Sequence, residues 1–419
     1  MKILFVHQNY PGQFRESLPR LSAGGTHQIV FLTKRRVDAP QQGHTIAVYR
    51  DEHRTDAKVH RMARLFDTQV ATGAAVRDAC ADLKKRGFVP DVIVGHAGWG
   101  ELMFIKDVYP DAPMASYFEY YFIPKGGCVA YDPEFPEAPH VETLLHARNA
   151  MNYLTLARSA AGFTATDWQK QTYPPLFHPT MHVLHEGIRT DLLTPDHTSD
   201  LRVEAGGRTF SRDDELVTYI ARNLEPIRGT HTMLRSLPAL QKLRPKAQVA
   251  IIGADGVSYG RELAGGETFR QRFVRELGNK VDWSRVHFVG QVAYHDLVSL
   301  LRLSRAHVYL TAPFVISWSM MEAMALEKVI IASDNAPVRQ FIAPGKTGLL
   351  VDFFNPAQLA ETIARVCDKP SDFAPIGQAA RREIVENYDF KTVAFPAFER
   401  FLEHVATLPS PGAPAVSSQ

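Results

Sequence analysis

Two arginines on one short stretch offer the first chemistry in this chain. In LVTYIARNLEPIRG, residues 216–229, an apolar run ends at Ala221. Arg222 and Arg228 then flank a proline-bearing loop that leads into a helical pattern. A guanidinium is always charged and can meet two phosphate oxygens at once, so such a pair at a strand end makes a fork for an anion. Surface arginines neutralised by local carboxylates such as Glu225 fit the same residues. A second stretch, TAPFVISWSMMEAMALEK at 311–328, lies between the apolar runs His307 to Leu310 and Val329 to Ala332. Met320, Met321, Met324, Ala325 and Leu326 recur at helical spacing, so the segment reads as strand, loop, helix, strand. Ser317, Trp318 and Ser319 would then offer backbone N–H groups at the positive helix end, which suits a phosphate. Glu322, one turn further on, could reach a sugar hydroxyl. Ser319 and Glu322 also have the S-x-x-E spacing of a capping box, which needs no ligand.

Other candidates are weaker. After the first apolar run stands Pro11-Gly12-Gln13, without the G-x-G-x-x-G of a dinucleotide site. Gly12 would let a phosphate or sugar approach the following helix, or would simply make the turn. Gly345-Lys346-Thr347 has the end of a P-loop but Gln340 where its first glycine belongs, and reads as a turn. His178, His182 and His185 are spaced like zinc ligands, but Pro179 breaks any helix that would align them, so no metal is expected.

These residues need a scaffold, and the alternation of the chain predicts one. Short apolar runs at Lys2–His7, Gln28–Thr33, Asp91–Gly95, Pro113–Tyr117, Ala161–Thr164 and Thr180–Leu184 alternate with helical stretches at Gln13–Ala23, Lys58–Lys85, Leu102–Val108 and Val141–Ser159. Residues 194–215 are polar, charged and glycine-bearing, and read as a linker. Strands then restart at Leu216–Ala221, Ala247–Gly253, Val286–Val289, Ala306–Thr311, Val329–Ala332 and Gly348–Val351. Helices are expected near Thr230–Leu243, Gly260–Leu277, Tyr294–Leu303, Ser319–Leu326, Ala357–Cys367, Ile376–Glu386 and Lys391–Val405. The pattern is α/β, with two Rossmann-like domains at 1–193 and 216–385 whose parallel sheets face across a cleft. Residues 386–407 form a final helical segment, and 408–419, rich in Pro, Ser and Ala, are expected to be disordered.

Composition narrows the function classes. The chain has 419 residues, 45% hydrophobic and 22% charged, with a net charge of +2, so nothing points to a nucleic-acid partner. No run of about 18 apolar residues suggests a membrane span. Three dispersed cysteines and an N-terminus too short in apolar residues for a signal peptide fit a cytoplasmic protein. Basic clusters at Lys34–Arg36 and Lys84–Arg86 leave room for weak peripheral contact with an anionic inner membrane.

Taken in order, these stretches resemble the retaining glycosyltransferases of family 4, which have the GT-B fold. ARNLEPIRG is similar to that family's G-R-L-x-x-x-K-G loop, AQVAIIGADG to its strand ending in G-D-G, and Met321-Glu322-Ala323-Met324-Ala325 to its L-E-A-M-A helix. The stretch IAPGKTGLLVDFFNPAQLAETI, the opening MKILFVHQNYPGQF and HEGIRTDLLTP before the linker also match, so the resemblance runs to about Val405. It implies hexosyl transfer from a UDP- or GDP-sugar to a glycan, lipid-linked or small-molecule acceptor, with retained anomeric configuration and no metal or other cofactor. By carry-over Arg222 and Arg228 bind the donor diphosphate, Glu322 holds the ribose, backbone amides from Ser317 to Met320 and Gly12 meet the phosphates, and Gln291 and Val292 lie near the base. The final helix is expected to cross back onto the first domain.

The departures from the family pattern are specific. Phe314 stands where the first Glu of the E-x7-E motif belongs, Ser317 replaces a Gly, and Arg228 replaces a Lys with one extra residue in its loop. Where the family often has a His after the fourth strand, this chain reads SYFEYYF. Glu119 and, in GHAGWGE, His96 are therefore the acceptor-side candidates. A nucleotide-sugar epimerase of the same fold and a non-catalytic nucleotide-sugar binder are the alternative readings.

Overall fold

The structure is a computed structural model, which describes residues 1–37, 43–137, 139–196 and 200–411. It divides into two compact units. One comprises Met1–Pro124, Ala138–Gly187 and Phe390–Gln419, the other Lys125–Glu137 and Ile188–Asp389.

The first unit is built on strands β1 (Lys2–Val6), β2 (Gln28–Thr33), β3 (Thr45–Val48), β4 (Val92–His96), β5 (Met114–Tyr117), β6 (Ala161–Thr164) and β7 (Met181–Val183). Its helices are α1 (Ser17–Ala23), α2 (Arg64–Lys85), α3 (Ile105–Val108), α4 (Val141–Leu156) and α5 (Asp167–Thr172). The strands form one sheet in the order β3-β2-β1-β4-β5-β6-β7, every pairing parallel. Such a sheet is covered on both faces, which is why the central runs ILFV and VIV are wholly buried. The order reverses between β1 and β4, and in an open parallel sheet that switch point, at the C-terminal strand ends, is where ligands bind.

The second unit adds strands β8 (Arg202–Ala205), β9 (Arg208–Ser211), β10 (Glu215–Asn223), β11 (Ala247–Ala254), β12 (Val286–Gly290), β13 (Ala306–Tyr309), β14 (Val329–Ser333) and β15 (Leu349–Val351). Helices α6 (Thr230–Leu243), α7 (Phe269–Leu277), α8 (Tyr294–Leu303), α9 (Trp318–Ala325), α10 (Ala336–Arg339), α11 (Pro356–Asp368) and α12 (Pro370–Tyr388) accompany them. Its parallel sheet runs β12-β11-β10-β13-β14-β15, with the switch point between β10 and β13. The last helix, α13 (Phe395–Thr407), packs within the first unit, where Phe398, Phe401 and Leu402 join Phe5, Phe14 and Phe163 in one apolar cluster.

Several expectations are corrected. The stretch read as a linker carries the antiparallel hairpin β8–β9, turning at Gly206-Gly207, both at positive φ. Its Val203, Ala205 and Phe210 pack on Leu216 and Leu300, so it belongs to the second unit's core. Residues 188–193 and the arm Lys125–Glu137 also belong to that unit, whereas 1–193 was expected to be one domain. The helix expected from Lys58 starts at Arg64, and the one expected from Gly260 starts at Phe269, where Thr268 and Gln271 form a capping box. Strand β3, half exposed at the sheet edge, was not foreseen. Of the tail expected to be disordered, 412–419 lie outside the described residues, and Ser410 Oγ donates to Pro110 O at 2.6 Å.

Candidate functional site

In the second unit, the switch point gathers most of the predicted donor-side residues. Strand β10 carries one extra residue between Ile220 and Asn223 relative to β11, a bulge that turns the strand end at Ala221-Arg222. Gly253 faces it so closely that a Cβ there would lie 2.3 Å from Ala221 O. Beyond the bulge Glu225 is buried, and its carboxylate accepts the backbone N–H groups of Ser258, Tyr259 and Gly260 at 3.1–3.2 Å. Glu225 therefore pins the 258–260 loop and pairs with neither arginine.

Arg228 ends the 3-10 turn Pro226–Arg228, which Gly229 closes in the left-handed region at φ 69°. Its Nη1 donates to Thr311 Oγ1 at 3.1 Å and Val315 O at 3.3 Å, and the guanidinium lies 5.4 Å from the ring centre of Phe314 and 5.7 Å from that of Tyr259. Every protein oxygen it meets among the described residues is neutral, so its positive charge has no carboxylate partner there. Arg222 is exposed and makes no ion pair among the described residues. Phe314, at the position of the expected carboxylate, is buried edge-on against Tyr259 with ring centres 4.6 Å apart.

The α9 end differs from the expected capping box. Ser317, not Ser319, is the N-cap and accepts from Ser319 N at 3.3 Å; Ser319 lies inside the helix. Ser317 N–H donates to Tyr309 Oη at 2.8 Å and Met320 N–H to Ser317 O at 3.2 Å. The amides of Ser317, Ser319 and Met320 thus already have acceptors, and a phosphate at this helix end would compete with them. Glu322 does not cap: it is buried and accepts the hydroxyl of Tyr294 at 2.9 Å. Gln291 is exposed, and Val292 packs partly on the hairpin cluster.

In the first unit, His96 closes β4 and is buried. Gly98 N–H donates to its Nδ1 at 3.0 Å, which puts the proton on Nε2, and Nε2 lies 3.3 Å from Glu119 Oε2. Gln13 Nε2 donates to Glu119 Oε1 at 3.3 Å. Burial pushes the Glu119 carboxyl up, but the contact with His96 and, to a smaller extent, the Gln13 bond outweigh it and hold it below the ordinary glutamate value. Gly12, at φ 57°, answers to a side chain: a Cβ there would come within 2.7 Å of the His7 ring.

The sequence reading missed three members of this cluster. His7 follows β1 directly, 5.7 Å from His96 between ring centres, and burial, then the His96 charge, lowers it to about 4, so it is neutral at pH 7. Gln13 was read only as a helix start. Glu101 is fully buried, accepts Gln8 N–H at 3.0 Å and the Tyr49 hydroxyl at 3.4 Å, and burial raises it to about 7. The strand-end position of His7 in ILFVH was the available signal. His178 and His185 are spent on Tyr173 O and Gly187 N, and no group of three metal-binding side chains occurs among the described residues. Nor is any described helix long and apolar enough to cross a membrane.

Two parallel α/β units with polar clusters at both switch points define the GT-B class. The comparisons agree. The chain matches the models "Glycosyl transferase family 4 group" over residues 25–193 and "Glycosyl transferases group 1" over 207–383. It belongs to the family 4 type of GT-B glycosyltransferases. It is 26% identical over 213 residues to the D-inositol 3-phosphate glycosyltransferase of Streptomyces avermitilis, covering 51% of this chain and 44% of that one. It is 22% identical over 223 residues to a GDP-mannose-dependent monoacylated alpha-(1-6)-phosphatidylinositol monomannoside mannosyltransferase of Corynebacterium glutamicum, covering 51% and 54%. The chain thus spans about half the length of these curated relatives. The structure of Anabaena HepE in complex with UDP-glucose is 16% identical, with a TM-score of 0.67 over 96% of this chain and 100% of that one, which speaks to the fold.

Proposed function

We propose that the protein is a retaining, metal-independent glycosyltransferase that moves a sugar from a UDP- or GDP-sugar to a glycan, lipid-linked or small-molecule acceptor. The observation that carries this reading is Arg228, a guanidinium fixed at a switch point by neutral oxygens only, its charge uncompensated among the described residues. A diphosphate needs such a preorganised cation, most of all as the sugar–oxygen bond breaks and the leaving diphosphate gains a third negative charge. The names of the relatives support a nucleotide-sugar donor: one is GDP-mannose-dependent, and HepE binds UDP-glucose.

In this reading Arg228, with Arg222 nearby in the chain, receives the diphosphate, and Glu322, held by Tyr294, accepts from the ribose. With a buried Phe314 in place of a carboxylate, the donor sugar is recognised by other groups. On the first unit Glu119, kept ionised and oriented by His96 and Gln13, accepts a hydroxyl of the acceptor. Incubation with UDP-glucose or GDP-mannose, each with and without phosphorylated inositol or lipid-linked acceptors, tests the reaction. Acceptor-dependent release of nucleotide is expected. Conversion of the donor to an epimer without nucleotide release would replace transfer by epimerisation, and calorimetric donor binding without turnover on any acceptor would make the protein a binder.

A further inference from the structure

The arm Lys125–Glu137 is held on the second unit by side chains, and it closes a cavity there. Glu134 makes a bidentate pair with Arg235 at 2.6 and 2.8 Å, and Arg235 in turn grips Glu276 at 2.6 Å. Phe135 inserts among Phe269, Phe273 and His231, with ring centres 5.6–6.4 Å away, and Tyr131 lies against Phe353 at 5.3 Å. Between this arm, Pro226-Ile227 and the 259–263 loop lies a cavity of about 250 Å³. A single water needs roughly 10–15 Å³, so this is room for a small organic molecule.

Two features of the wall define its chemistry. Tyr131, Phe135 and Tyr259 are only half buried and give it aromatic surfaces. Four carboxylates, those of Asp132, Glu134, Glu137 and Glu262, also line it. Three of the four face a basic side chain: Asp132 lies 3.1 Å from His231, Glu134 2.6 Å from Arg235, and Glu137 3.3 Å from Arg261. Glu262 has no such partner among the described residues. A countered carboxylate still has lone pairs for a hydroxyl, because an ionised carboxylate accepts about four hydrogen bonds. A phosphorylated ligand would meet an excess of acceptor oxygens, and a purely apolar one would leave them dry and unpaired. A pyranose suits both features, its C–H face against the negative face of an aromatic ring and its hydroxyls on the carboxylates.

We propose that this cavity is a binding site for an uncharged sugar ring, distinct from the Arg228 anion site though bordered by the same turn. Its two walls explain why the arm and the 258–260 loop are each pinned by buried or bidentate carboxylate bonds. Saturation-transfer NMR of the whole chain, without donor, tests the site with methyl α-D-mannopyranoside, methyl β-D-glucopyranoside and glucose 6-phosphate as probes. At least one neutral glycoside should receive saturation and glucose 6-phosphate should not. Leu263→Trp, which fills the cavity, should abolish the signal, and Glu262→Gln should weaken the titrated Kd roughly tenfold. Saturation of neither glycoside, equal saturation of glucose 6-phosphate, or a signal and Kd unchanged in both variants would overturn the proposal. Because the readout is binding alone, it stands or falls separately from the transferase reaction.

Discussion

Glu101 provides a test of the first unit's polar cluster that needs no substrate. Its carboxyl is fully buried, and burial raises it from 4.5 to about 7. Below pH 4.5 it is protonated in both the folded and the unfolded chain and costs nothing by ionisation. Between 4.5 and 7 the unfolded chain releases the proton while the folded one keeps it, so stability falls as pH rises; above 7 the loss is complete. At 1.36 kcal/mol per unit, the shift corresponds to about 3 kcal/mol. The perturbation is Glu101→Gln, whose carbonyl can still accept from Gln8 N–H and Tyr49 Oη. The amide adds a fixed offset, because Glu101 Oε2 has no hydrogen-bond partner for the new NH2 to inherit. Urea unfolding of both proteins from pH 4 to 8 separates offset from slope. The unfolding free energy of the wild type minus that of the variant should fall by about 3 kcal/mol across the window. A difference that stays flat would mean that Glu101 ionises at its ordinary value and that the burial argument is wrong.

Other perturbations act on single contacts. Gly229→Ala places a Cβ 2.4 Å from Leu310 Cβ at a positive φ, and should cost about 2 kcal/mol or more in thermal or urea unfolding. Glu225→Ala strips the acceptor from three successive amides at 258–260, and hydrogen exchange there should accelerate while the exchange of β11 stays slow. Tyr294→Phe removes the hydroxyl held by Glu322 and should lower stability by about 1 kcal/mol, with a change in donor KM only if Glu322 meets the ribose.

What could be read from the sequence follows from what was local. Strands Gln28–Thr33 and Ala161–Thr164 and helices Thr230–Leu243 and Tyr294–Leu303 carry strong periodicity, and the structure has them with the same limits. The β8–β9 hairpin was also legible: Gly206-Gly207 between the alternating runs RVEA and RTFS is a two-residue turn signal, hidden by the polar face the hairpin shows to solvent. At α9 two serines two residues apart both fit a cap, and spacing favoured the one with a glutamate three residues on. Tyr294, twenty-eight residues upstream of Glu322, decides otherwise by donating its hydroxyl to that glutamate. The arm escaped notice because its partners, Arg235, His231 and Phe269, lie about 100 to 135 residues away along the chain. The Arg228 loop was readable in composition, whereas the role of Glu225 depended on a loop more than thirty residues downstream.

The central claim, that Arg228 receives a nucleotide diphosphate, is tested most directly by calorimetric titration of UDP and GDP into the wild type and Arg228→Ala. Loss of a charge-assisted contact of about 1.5–3 kcal/mol predicts that the nucleotide which binds the wild type binds the variant roughly ten- to a hundredfold more weakly. Equal affinity in the two proteins, or binding of neither nucleotide to the wild type, would contradict it.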